Sequence, residues 1–309
     1  MSYSRHILMG DPSQFSIRKG ANPHTRNWLG MKKSVDRRKA LRQWNRMKET
    51  LEEYGVKVHV IPPHPAMPGL VFPANAGFTP RVEMPIPLAR RDFILSRLST
   101  ARGDEEKVYE EFLKGLGLRV HRSAHAFEGE ADFFPWGEKY IFTYGRLEKQ
   151  RFVPRWGFPP WKRVYGFRSD AETLGDLISW VPRENILPFE LQDERFYHGD
   201  TVFCSFGPRR EFLLAYAGGL TSEGWRGLKG DPRVIPMTRE DALRFAANSF
   251  QIRLRGDCFL FMPVGVSEEL VSRVREMGVE VVKIDVSEFY VKGGGSVKCM
   301  IGDLGSDAV

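Results

Sequence analysis

The sequence predicts an α/β protein built from about five helix-to-strand units. Two observations carry that expectation. A helix, a glycine and a short apolar strand recur along the chain. Neither a G-x-G-x-x-G after the first strand nor a G-x-x-x-x-G-K-[ST] is present, so the phosphate cradle of a nucleotide-binding sheet is unsupported. The count of units fits a doubly wound sheet or a radial array of repeats.

In order, helix Ser34–Tyr54 ends at Gly55 and leads into Val56–Ile61. Its apolar face is Val35, Leu41, Trp44, Met47 and Leu51. The basic run Lys32, Lys33, Arg37, Arg38, Lys39, Arg42 and Arg46 reads as its wet face. Helix Asp104–Leu116 ends at Gly117 and gives Leu118–His121, and helix Ser267–Met277 ends at Gly278 and gives Val279–Ile284. Glycine just past a helix end is the expected left-handed stop, and alternating valines suit a strand. Further helices are expected over Ala171–Val181 and Arg239–Asn248, the latter opened by Thr238 and Asp241 at capping-box spacing. Strand-like Ile186-Leu187 and Cys258–Phe261 follow them. No low-complexity linker interrupts the chain, so one domain over 1–309 is expected.

Composition narrows the function. A net charge of +7 raises nucleic acid as a partner, but the basic residues are interleaved with acids and no DNA- or RNA-binding signature accompanies them. The longest stretch without charge, Val58–Pro80, carries six prolines and cannot be a membrane-spanning helix, and Met1–Gly10 has no signal-peptide run. Three cysteines, none in a Cys-x-x-Cys pair, indicate neither a disulfide framework nor a structural zinc, and a reducing cytoplasm fits.

Four segments could carry chemistry. In Lys292–Met300 three glycines free the backbone ahead of Cys299, and the adjacent Lys298 would favour a thiolate; alone, the segment also reads as a turn before a strand with a buried Cys. In Arg195–Thr201, a strand would project His198 and Asp200 from one face, as an acid/base beside a cation-binding acid. Phe127–Phe134 holds Glu128, Glu130 and Asp132 among aromatic residues, where carboxylates need a cation, a donor or a metal. The Asn22-Pro23 and Asn75-Ala76-Gly77 segments are by themselves ordinary turns. Together, a thiol, a His and a carboxylate in separate parts of the chain are the ingredients of nucleophilic catalysis on a cationic substrate.

In order and spacing these segments resemble the guanidino-group-modifying enzymes, the superfamily of arginine deiminase, dimethylargininase and the amidinotransferases, and within it the branch of the cyanobacterial-type arginine dihydrolase. The matching segments are Asn75-Ala76-Gly77, Arg102–Glu106, Phe127–Asp132, Arg168-Ser169-Asp170, Arg195–Thr201 and Ser287-Glu288-Phe289 through Cys299. The resemblance implies a five-bladed α/β-propeller (pentein) around a central site. It implies Cys299 as nucleophile, His198 as acid/base, Glu128 as the carboxylate near both, and Asp200 on a guanidinium nitrogen. Asn22, Asn75, Asp132 and Arg168 would help bind substrate, and Arg102 would hold a substrate carboxylate. The implied activity is amidine hydrolysis of L-arginine or a close guanidino compound, in the cytoplasm, with no cofactor or metal. The alternative is an amidinotransferase; remoter ones are a non-catalytic guanidino-binding protein or a nucleic-acid binder. The expected partner is the small guanidino substrate, with no nucleic acid and no membrane, and a homo-oligomer left open. Gly199 and Ala131 depart from the branch pattern, and Asn75 stands where simple deiminases have Asp. The Trp- and Pro-rich stretch 143–164 looks long, as a lid or an oligomer contact.

Overall fold

The computed structural model describes residues 3–99, 102–158 and 160–308. Among them, five three-stranded sheets repeat one plan, joined by a separate two-stranded hairpin. A first strand pairs antiparallel with a second; a helix follows, and a third strand returns parallel to the second. The plan gives Gly77–Phe78, Asp92–Leu95 and Arg119–Arg122 in one unit, and Phe133–Trp136, Lys139–Tyr144 and Ile186–Glu190 in the next. Phe203–Phe206, Phe212–Ala215 and Val234–Pro236 make another, and Phe250–Leu254, Asp257–Pro263 and Val279–Ile284 the one after it. In the remaining unit the chain's two ends meet: Gly302–Ala308 lies antiparallel to Tyr3–Gly10, which pairs parallel with Lys57–Ile61.

The helices follow local signals and stop where packing requires. Arg37–Glu53 begins at Asp36, whose side chain accepts from the Lys39 amide, and ends before Gly55 at φ +77°. Ala40, Trp44, Met47 and Leu51 are buried, while Leu41 is 42% exposed, contrary to expectation. Positions 40, 44, 47 and 51 share one face at 3.6-residue spacing, and Leu41 lies about 100° off it. Met47 and Leu51 pack with Ile7 and Met9 of the neighbouring strand and Phe261 of the adjoining unit, each such side chain contributing about 1.5–3 kcal/mol of burial. Glu105–Gly115 and Glu268–Glu276 form as expected. The helix expected over Ala171–Val181 shortens to Thr173–Leu177. The one expected over Arg239–Asn248 stops at Leu243. Phe245 there turns left-handed at φ +62°, and Asp241 is held by the Thr238 hydroxyl and the Ser267 amide, so the chain swings Asn248 inward. No described helix is long and apolar enough to cross a membrane.

Candidate active site

The repeat places one candidate side chain per unit, each in the segment leading into that unit's first strand. Asn75 lies in the 3-10 turn Pro73–Ala76 before Gly77, and Asn248 two residues before Phe250. Glu128 precedes the turn Gly129–Ala131 that leads to Phe133. His198 precedes the turn Gly199–Thr201 that leads to Phe203, and Cys299 comes three residues before Gly302. Gly129 lets the turns approach each other: its φ is +65°, and a Cβ there would stand 2.5 Å from the Gly77 carbonyl oxygen. The expectation that His198 and Asp200 share a strand face is corrected. His198 is extended, Asp200 sits in the 3-10 turn after it, and the two reach different partners.

Cys299, His198 and Glu128 line a cavity of about 170 Å³, together with Asn75, Asn22, Arg102 and Arg168. The His198 Nε2 lies 2.9 Å from Glu128 Oε2. The Cys299 thiol donates to Asp200 Oδ2 at 3.2 Å and accepts from Asn248 Nδ2 at 3.1 Å. Asn248 Oδ1 in turn accepts the Cys299 and Ser296 amides at 3.0 and 2.9 Å, which fixes the cysteine backbone. The Ser169 hydroxyl accepts the Glu128 amide and donates to Asp132 Oδ2. Three buried polar atoms around the thiol have no protein partner: Glu128 Oε1, Asp200 Oδ1 and Asn75 Nδ2.

Burial by itself would push the Glu128 carboxyl up, but the His198 ring and the charges of Arg168 and Arg102 hold it down at about 2. Burial would likewise lower His198. Asp132 and the bonded Glu128 overcome that and raise the imidazole above its ordinary value. Burial pushes Asp200 up to about 6 against the pull of His198 and the thiol bond. The Cys299 thiol rises well above its ordinary value through burial and the adjoining Asp200, so the resting thiol is protonated.

That last point corrects the role expected for Lys298. Neighbours in a turn diverge, and its ammonium pairs with Glu130 at 2.6 Å instead of activating the thiol. Arg102 reaches the cavity with most of its fork already engaged: it donates to Glu105 at 2.9 and 2.7 Å, to Asn75 Oδ1 at 2.6 Å and to the Gly69 carbonyl at 2.8 Å. Its fork is thereby shared between Glu105, Asn75 and the Gly69 carbonyl at the cavity wall. Neither Asp132 nor Asp200 lines the cavity: the oxygens of Asp132 accept Thr143, Gly199 and Ser169 donors behind His198, and Asp200 lies behind the thiol that it accepts. The Asn22 amide is spent on Tyr197, the Gly293 carbonyl and the His24 amide. Arg168 donates to the Ala21 carbonyl and stacks over Tyr197. Within 143–164, Arg151–Pro154 and Trp161–Val164 form a hairpin with Trp156 and Phe158 exposed, and none of its described residues lines the cavity.

Asn248 and Tyr197 were not anticipated. The signal for Asn248 was an internal echo: Ala247-Asn248-Ser249-Phe250 repeats the register of Ala74-Asn75-Ala76-Gly77 ahead of a first strand. Glu128-Gly129-Glu130 and His198-Gly199-Asp200 echo in the same way.

Residues 188–305 match the family model described as N,N dimethylarginine dimethylhydrolase, eukaryotic. The bifunctional arginine dihydrolase/ornithine cyclodeaminase AgrE of Nostoc is 29% identical over 303 residues, covering 95% of this chain and 37% of AgrE. The chain thus spans little more than a third of that relative. The N(G),N(G)-dimethylarginine dimethylaminohydrolase of Mycobacterium tuberculosis is 26% identical over 298 residues, 96% of this chain and 84% of the relative. Among solved structures, the substrate-bound N-terminal domain of ArgZ, a cyanobacterial arginine dihydrolase, superposes with a TM-score of 0.78 at 24% identity, over 98% of both chains.

Proposed function

This chain belongs to the superfamily of guanidino-group-modifying enzymes, and from that premise we propose that it hydrolyses L-arginine or a close guanidino compound through an S-amidino intermediate on Cys299. The carrying observation is the set of unpartnered polar atoms at the thiol. Glu128 Oε1 and Asp200 Oδ1 are buried carboxylate oxygens without a donor, an arrangement that costs about 1–3 kcal/mol per group. A planar guanidinium carries N–H donors and the compensating charge.

In this reading the guanidinium settles between the two carboxylates. Cys299 sulfur attacks its central carbon. Imidazolium His198 protonates the departing nitrogen, and the S-amidino group stays on the enzyme. Neutral His198 then takes a proton from water, which attacks the same carbon and expels the thiolate. Asn75 offers an amide donor where a guanidinium favours a carboxylate, so ornithine as well as citrulline is an expected product. Arg168 is the cation assigned to a substrate carboxylate. We assign the five sheets as the blades of a propeller closed by the pairing of the chain's two ends, forming one catalytic domain over 1–309 that works in the cytoplasm without a cofactor.

Mass spectrometry of products from L-arginine tests this, in water alone and then with glycine, lysine or ornithine added. Citrulline, or ornithine with ammonia, is expected in water alone. Product formed only with an amine present, that amine gaining an amidino group, overturns the hydrolase in favour of an amidinotransferase.

A further inference from the structure

Beyond the reacting thiol lies a second, smaller chamber of about 40 Å³ that shares no lining residue with the first cavity. Its walls carry Asp200, Glu130, Lys298 and Asp303, with Arg210 and Cys204. Asp200 belongs to the second chamber and meets the first cavity through the thiol: Oδ2 accepts the Cys299 thiol, and Oδ1 has no protein partner. Glu130 occupies the register of Asp200 in the adjacent unit. One of its oxygens pairs with Lys298 at 2.6 Å and the other accepts the Asp303 amide at 2.6 Å. Asp303 holds Arg5, and Arg5 and Arg210 both reach Glu83, whose side chain is 43% exposed. Ionisable groups thus run from the thiol to the surface at Glu83, which does not line the first cavity. The chamber has room for about three water molecules, enough to bridge its carboxylates.

The proposed chemistry leaves one proton without a destination. Cys299 rests as a thiol and must attack as a thiolate. In the chemistry proposed above His198 is the acid for the departing nitrogen, so it holds its own proton through the attack and does not take the thiol's. A bound guanidinium fills the mouth and adds a second buried cation, so the proton cannot stay and its ordinary exit is blocked.

Resting on the function proposed above, we infer that the Cys299 proton leaves by the back of the site, through Asp200 and the water of the second chamber to the Glu130–Lys298 pair and the surface beyond. The S–H bond breaks with its electron pair left on sulfur, and the proton bonds to Asp200. Asp200 gives up a proton to chamber water, Glu130 takes it and releases it to solvent, and the same route returns one when the thiol reforms. Burial leaves Asp200 at about 6 and Glu130 at about 7, the latter against the pull of Lys298, so both exchange protons near neutrality. Glu130 and Lys298 touch neither substrate nor thiol and act as positioning residues.

Glu130→Gln and Glu130→Asp test the outlet in two reactions of the same thiol. L-Arginine seals the mouth and requires the back route; iodoacetamide alkylates the free enzyme with the mouth open. Glu130→Gln is expected to lower kcat on L-arginine about tenfold and to raise its solvent isotope effect, with KM and the alkylation rate within about twofold of wild type. Glu130→Asp restores most of kcat. Unchanged kcat and isotope effect in Glu130→Gln overturn the outlet, and so does parallel slowing of both reactions, which marks disturbed packing at Cys299. A wild type that releases nothing from L-arginine overturns the function and the outlet together; an active wild type beside an indifferent Glu130→Gln overturns the outlet alone.

Discussion

Glu128→Gln removes one buried charge and nearly preserves shape, which isolates what the carboxylate contributes. Its bond to His198 is 2.9 Å long and both side chains are almost fully buried. A charge-assisted bond of this kind is worth about 1.5–3 kcal/mol net. At about 1.4 kcal/mol per pH unit, its loss loosens the imidazolium's hold on its proton by about one to two pH units. The folded protein holds His198 above its ordinary value, so the protonated form is present at lower pH and lost as pH rises. Because that form protonates the leaving nitrogen in the proposed chemistry, the alkaline limb of kcat moves to lower pH by the same amount. The unpartnered Oε1 is lost as an anion too, weakening guanidinium binding by a similar energy, about 10–100-fold in KM. Together these lower kcat/KM by about 10²–10⁴ on the alkaline side of neutrality. The assay is a pH profile of kcat and kcat/KM on L-arginine for both proteins. An alkaline limb that stays in place, with kcat/KM within about threefold, refutes the assignment of His198 as an acid poised by Glu128.

Cys299→Ser is expected to abolish turnover while leaving the melting temperature within a few degrees, since the hydroxyl can keep the Asp200 and Asn248 contacts; full activity in that variant ends the covalent mechanism. Asn248→Ala removes a donor that draws the thiol's proton affinity down and an acceptor for two backbone amides, so iodoacetamide labelling of Cys299 slows and kcat falls about tenfold or more; an unchanged labelling rate shows that Asn248 only fills space.

Much of the fold was legible because its signals are local. Gly55 and Gly278 mark helix ends, and alternating valines mark Val279–Ile284, whatever else the chain does. Helix ends set by tertiary contacts were not legible. Nothing in Arg239–Asn248 announces the turn at Phe245, which follows from Asp241 being tied to Ser267 in the next segment. The site divides in the same way. Cys299, His198 and Glu128 are chemically distinctive residues in distinctive segments. Asn248 is a plain residue in a plain sequence, and its importance lies in a contact with a cysteine 51 positions away. Lys298 was misread because sequence shows a cation, but the acid that occupies it, Glu130, is a matter of geometry.

The unpartnered carboxylate at Asp200 gives the guanidinium argument a test that needs no turnover. Burial raises this carboxyl from an ordinary value near 3.8 to about 6. The folded protein therefore binds the Asp200 proton more tightly than the unfolded chain. Below about pH 3.8 the carboxyl is neutral in both states and costs nothing; between there and about 6 a destabilising contribution grows, and above 6 it is fully present. An amide of the same shape carries no such contribution and cannot offset a bound cation. Asp200→Asn should thus melt above wild type at about pH 7.5, with the gap closing by about pH 4. Added L-arginine should raise the melting temperature of wild type and leave the variant's unmoved. A site built for a cation is strained while empty and relieved when filled, and this pair of measurements reads both states. If the variant melts lower than wild type at pH 7.5, Asp200 is already satisfied inside the protein. Its free oxygen is then not reserved for a ligand, and the case for a guanidinium between Glu128 and Asp200 falls with it.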